Sequence, residues 1–192
     1  MMTVDEEYLQ KVIRTVAHDI SASLRAASGF SQLIINQYAE QLDDNALSSA
    51  ALGIVNELKI KEKDLRINFI TNSGYILMIG QTKNQAVKDQ LGMKIQKINK
   101  VKGVYNQLRI SSPISFEQIR QDTWITTQIK SLMSANNSIN QFKIKVATEN
   151  AEVFLIGKVN KEIANEASKI ASEVKGVKKV HRVFQLTNSE KK

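Results

Sequence analysis

The chain has 192 residues, room for one medium domain or two small ones, with 42% hydrophobic residues and a formal net charge of +8. It contains no cysteine, which excludes a disulfide framework, a thiolate zinc site, a thiol nucleophile and, in the chain as written, a lipobox. Charge is uneven: residues 1–42 hold three basic and five acidic side chains, so the remainder carries +10, a balance that suits either a lysine-solubilised surface or a polyanionic partner.

The opening MMTVDEEYLQKV is acidic and amphipathic, unlike a signal peptide, and implies a cytoplasmic protein if that N-terminus is native. Apolar residues at four-residue steps (Val4, Tyr8, Val12, Val16) predict a helical segment over 1–42. Asp43-Asp44-Asn45 reads as an N-cap cluster, followed by a helix with Leu47, Ala51, Ile54, Val55 and Leu58 on one stripe. The period then changes to two. Leu65, Ile67 and Phe69 mark a strand, Asn72-Ser73-Gly74 a turn, and YILMIGQ a largely buried second strand. A helix over 84–98 and a strand opening at Val101-Lys102-Gly103-Val104 complete a first domain, 43–111. SSPISFEQIRQ holds the only proline, Pro113, and reads as a linker over 112–121. A second domain, 122–187, starts with a helix capped by Asp122 or Thr123 and carrying Trp124, Ile125, Ile129, Leu132 and Met133 on its apolar side. The hairpin FKIKVAT/EVFLIGKV, a helix over 161–174 and the strand KGVKKVHRVFQL follow, with a tail at 188–192.

The two domains are copies of one unit. TNSGYILMIG at 71–80 recurs as TENAEVFLIG at 148–157, and VKGV at 101–104 matches VKGV at 174–177 after four extra residues in the first copy. The fold class is therefore α+β, two tandem αββαβ units, each with two helices on a three-stranded sheet. Gly80 and Gly157 close buried strands, where a missing Cβ permits a bend or a close approach. Gly103 and Gly176 are expected after helices at positions needing positive φ. No glycine belongs to a phosphate loop.

Both copies carry the helix, x-I-x-V hairpin, V-x-L-x-G strand, helix and V-x-G-V-x-x-V order, which resembles the BON domain (bacterial OsmY and nodulation). DDNALSSAALGIVNEL in the first copy, with DTWITTQIKSLM, KVATENAEVFLIGKV and IASEVKGVKKV in the second, is similar to dual-BON outer-membrane lipoproteins across 43–187. The resemblance implies a non-enzymatic, periplasmic, outer-membrane-associated protein that supports envelope integrity and needs no cofactor or metal. It implies binding of anionic phospholipid, phosphatidylglycerol above all, through the second BON domain. Trp124 is the implied contact, with Ile125, Thr127, Leu132, Met133 and Ser134 on its helix and Gly157, Lys158 and Val159 at a strand end. Lys130, Lys158, Lys161, Lys178, Lys179 and Arg182 are available to headgroups. Taken alone, Trp124 favours packing into the linker or between the domains; the resemblance turns the expectation toward lipid. Other envelope proteins are further candidate partners, and nucleic acid is not expected, because a stacking pair of exposed aromatics on adjacent strands is not evident.

VAHDISASLRAASGFSQLIINQYAEQLDD separately resembles the phosphoacceptor helix of sensor histidine kinases, with Ser23 where that motif has proline. It implies His18 as phosphoacceptor with Asp19 beside it, although no ATP-binding motif follows. Signalling, or homodimerisation through this helix, is the alternative function. His181, alternating with Arg182 on a strand, reads as surface. No catalytic constellation emerges: the two histidines are far apart in sequence, and the paired acids Asp43-Asp44 serve better as caps.

Overall fold

The computed structural model describes residues 43–60 and 64–187; the predicted N-terminal helical segment with His18, and the tail 188–192, lie outside them. The first copy comprises α1 (43–57), β1 (Leu65–Asn72), β2 (Tyr75–Thr82), α2 (Gln85–Gln96) and β3 (Gly103–Ile110). The second comprises α3 (Phe116–Ala135), β4 (Lys145–Glu149), β5 (Glu152–Val159), α4 (Lys161–Glu173) and β6 (Lys179–Leu186). Each copy is a three-stranded sheet with the second strand in the middle, β1-β2-β3 and β4-β5-β6. A two-residue turn makes each hairpin antiparallel, and the following helix carries the chain across so that the last strand returns parallel. The chain is α+β with a duplicated αββαβ unit.

One face of each sheet meets its own helices. In the first copy Ile76, Met78 and Leu108 close over Leu47, Ala51, Leu91 and Ile95. In the second, Val146, Val153 and Leu155 meet Ile125, Ile129, Met133, Ala167 and Ala171. The opposite sheet faces form a third cluster together: Leu77 and Ile79 from the first copy, Ala147, Phe154, Ile156 and Val183 from the second. The middle strands β2 and β5 are therefore buried on both faces, which is why YILMIG and VFLIG are nearly unbroken apolar runs. Tyr75 and Tyr105, neighbours across β2 and β3 with ring centroids 6.1 Å apart, pack against this third cluster.

Charged groups rim that contact. Glu149, 4% exposed, pairs with Arg66 and accepts from Gln81 Nε2 at 2.7 Å. Lys145 reaches Asp44 at 3.2 Å and the Thr71 carbonyl. Glu152 binds Arg109 from the other copy and, at 2.6 Å, His181 Nε2 from its own; that ring stacks on Phe154 with centroids 4.4 Å apart. His181 is thus not the open surface residue expected: its ring is half-buried because β6 turns it toward the inter-sheet face beside Phe154.

Burial acts to raise the Glu152 pKa, but the hydrogen bond from His181, that from Arg109 and the charges of both outweigh it, and the net direction is down from 4.5. A carboxylate whose folded pKa is depressed contributes stability that is complete above its unfolded value and is lost as pH falls through the folded one. Unfolding midpoints followed below pH 4.5 should accordingly fall more steeply for the wild type than for Glu152→Gln; parallel curves would contradict the pairing.

Several local expectations are corrected by the structure. The helix expected to start at Asp122 or Thr123 starts at Phe116, because Ser115 Oγ accepts from the Gln118 amide at 3.2 Å and caps it. Part of the predicted linker 112–121 is therefore helix. Asp43, Asp44 and Asn45 lie inside α1 rather than ahead of it. Asp44 instead accepts from the Ser73 and Gly74 amides, both at 3.2 Å. Asp122 does the same in the second copy, accepting from Asn150 at 2.7 Å and Ala151 at 2.8 Å. Four residues on, Ser48 pairs with Thr71 (3.0 Å) and Thr126 with Thr148 (2.8 Å). Each first helix thus clamps its own hairpin turn, whose two central residues all have positive φ, by the same Asp-x-x-x-Ser/Thr device.

The VKGV match is also out of register. Gly103 faces Tyr75 across the sheet, whereas the residue facing Glu152 is Lys179. Lys100, with φ 71°, is then the counterpart of Gly176, with φ 97°. Gly103 has no positive φ; it leaves room for the Tyr75 ring, 3.0 Å from where a Cβ would sit. Gly176→Ala should destabilise the protein by about 1–2 kcal/mol, from backbone strain and a Cβ 3.3 Å from Ile125 Cδ1. Urea titration of the two proteins reads this directly, and an unchanged midpoint would contradict it.

Candidate functional site

The second copy differs from the first most visibly on its leading helix. α3 runs for 20 residues without glycine or proline, from the Ser115 cap to Asn136. Asp122, Ile125, Ile129 and Met133 are buried, which defines the face laid on the sheet. At about 100° per residue, the side opposite that face holds Phe116, Glu117, Arg120, Trp124, Thr127 and Ser131, with Thr123 and Lys130 toward its flank. Phe116 is 83% exposed and Trp124 51%. Leu132, 47% exposed, stands at the flank. By the spacing of the two hairpin clamps, the first copy's counterpart of Trp124 is Ala46. Only the second copy shows solvent a tryptophan.

Of the nine predicted contacts, Trp124, Thr127, Leu132, Ser134 and Lys158 are exposed. The other four are not. Ile125 (3% exposed), Met133 (6%) and Val159 (1%) are buried apolar residues, the first two within the domain core, and their side chains do not reach a surface. Gly157 is buried where β5 meets the chain entering β4, and a Cβ there would lie 2.9 Å from the Lys143 carbonyl oxygen; packing accounts for that glycine. Trp124 is not between the domains, since the inter-domain contact uses the sheet face turned away from α3; it borders Phe116, Glu117, Arg120 and Gln121, the helical part of the predicted linker. Thr123 and Thr127 spend their hydroxyls on the carbonyls of Ile119 (2.8 Å) and Thr123 (2.9 Å), so they offer a smooth, small surface between the larger side chains. Phe116 and Arg120 were missed because the segment holding them reads as linker; Ser115, three residues ahead of the Gln118 amide, was the available signal.

Among the described residues no cluster of three or more acidic or histidine side chains could hold a metal ion, and no helix is long and apolar enough to cross a membrane. The exposed face of α3 thus carries two large aromatic side chains, Phe116 and Trp124, with Arg120 and Glu117 between them.

The BON domain family model matches twice, over residues 43–112 and 121–188. The chain belongs to the BON-domain family. Its BON pair is 40% identical over 145 residues to the outer membrane lipoprotein DolP of Haemophilus influenzae, covering 76% of this chain and 75% of that one. It is 37% identical over 145 residues to the 21 kDa hemolysin of Actinobacillus pleuropneumoniae, covering 75% and 74%. Among solved structures, the C-terminal domain of CdsD, a structural protein of the type III secretion system of Chlamydia trachomatis, is a distant likeness that covers 64% of this chain and 90% of its own at 15% identity and a TM-score of 0.30.

Proposed function

We propose that this dual-BON protein is a non-enzymatic, envelope-associated protein that binds anionic phospholipid through the outward face of α3 in its second domain. The observation that carries the reading is Trp124, half exposed on a helix whose apolar face is already satisfied. Arg120 lies on the outward face with Glu117 beside it, Lys130 is exposed toward its flank, and Lys158 is exposed near the end of β5. A lysine or arginine near an anionic bilayer contributes about 1 kcal/mol and is screened by salt, so binding combines insertion with charge. Likeness to an outer membrane lipoprotein supports the envelope as the place of action.

Sedimentation with vesicles tests this. The protein should pellet with vesicles containing phosphatidylglycerol, remain in the supernatant with phosphatidylcholine alone, and release as salt rises. Pelleting with neither vesicle would overturn the proposal. The alternative of signalling or dimerisation through His18 rests on residues outside those described.

A further inference from the structure

We infer that Phe116 is a second membrane anchor, set about two helical turns before Trp124 and held in place by the first BON domain. The inference rests on the phospholipid reading above. Phe116, Arg120 and Trp124 follow at four-residue steps, so they lie about 40° apart from one to the next on the side of α3 away from the core, about 12 Å from end to end. Phe116 is 83% exposed, the most exposed large apolar side chain among the described residues, and with Trp124 it flanks a shallow groove that also holds Glu117, Arg120 and Gln121. An arginine between two exposed rings matches one anionic headgroup with an apolar side chain sinking on either side. Glu117 offsets Arg120 within the groove, so the preference for an anionic bilayer over an apolar protein groove comes from the net +10 carried by residues 43–192.

The first turn of α3 extends ahead of the segment that packs on its own sheet, and it needs another support. Gln81 supplies one. It lies in the first domain, 1% exposed, and its Oε1 accepts from the Ile114 amide at 3.3 Å, immediately ahead of the Ser115 cap. Its Nε2 donates to Glu149, itself paired with Arg66. The inter-domain contact therefore fixes where α3 begins and which way Phe116 faces. On this account the first domain, which lacks a tryptophan of its own, acts in lipid binding as a positioning element.

The natural chain has one tryptophan, so Trp124→Phe combined with Phe116→Trp moves the only indole to position 116. On vesicles containing phosphatidylglycerol its emission should shift to the blue and be quenched by brominated acyl chains. Phe116→Ala, at a position with little packing to lose, should leave folding intact and weaken vesicle binding roughly tenfold. An indole at 116 that stays unshifted and unquenched while the protein pellets with vesicles would overturn the second anchor and leave the Trp124 reading standing. Unchanged binding by Phe116→Ala would do the same. Absence of any pelleting by the wild type would overturn both.

Discussion

Asp122→Ala should lower the stability of the second BON domain by about 3 kcal/mol or more, because the hydrogen bonds its carboxylate accepts from two turn amides, each worth roughly 1.5–3 kcal/mol, and from the Gln118 side chain are lost. The side chain is 4% exposed and holds the Asn150 and Ala151 amides at 2.7 and 2.8 Å. Those two residues have φ of 54° and 63°, and the turn keeps them in that sparsely populated region with both amides pointed at one carboxylate. Removing the acceptor leaves one of them, Ala151, buried with its donor unpaired. Asp122→Asn keeps one acceptor oxygen and should fall between the two. Urea unfolding of the three proteins checks the order, and a loss below about 1 kcal/mol for the alanine variant would show that the clamp is incidental.

Trp124→Ala should have the opposite profile, a folded protein that holds lipid more weakly. The core-facing residues of the same helix, Ile125 and Ile129, are 3% and 0% exposed, and Trp124 is not part of the cluster they form. Changes at exposed positions of this kind generally stay within about 0.5 kcal/mol of the parent stability. Inserting an indole at the headgroup boundary, by contrast, recovers a large part of the roughly 1.5–3 kcal/mol that burial of a big apolar side chain yields, so its removal should weaken binding to phosphatidylglycerol vesicles about tenfold or more. Leu132→Ala should weaken it less, since Leu132 stands at the flank of the face. Equal binding by wild type and Trp124→Ala, with matching unfolding curves, would contradict the role given to this residue.

The fold was readable because duplication makes each element appear twice. TNSGYILMIG and TENAEVFLIG align without a gap, and the structure gives them equivalent strand positions. What escaped the sequence escaped for physical reasons. VKGV occurs twice as a string, but strand register obeys the sheet pairing, and that places Lys179 where the first copy has Gly103. Asp44 and Asp122 look like helix caps, because a carboxylate that binds two turn amides and one that binds two helix amides leave the same local signature. The sheet-to-sheet contact was written in the two-sided apolar strands YILMIG and VFLIG, whose alternate residues have nowhere to go in a two-layer unit. Its charged rim was not, since Arg66 and Glu149 stand 83 residues apart and nothing local links them. At the candidate site Trp124 could be singled out from the sequence, while Ile125 and Met133 could not be separated from it without the helix phase. Val159 and Gly157 required the packing itself.

The single tryptophan is its own reporter of contact with lipid. Emission from Trp124 should shift to the blue as vesicles containing phosphatidylglycerol are added, remain fixed with phosphatidylcholine alone, and return toward its starting position at high salt. An emission that stays fixed with both vesicle types, from a protein whose unfolding curve is normal, would contradict the account and leave the outward face of α3 to another partner.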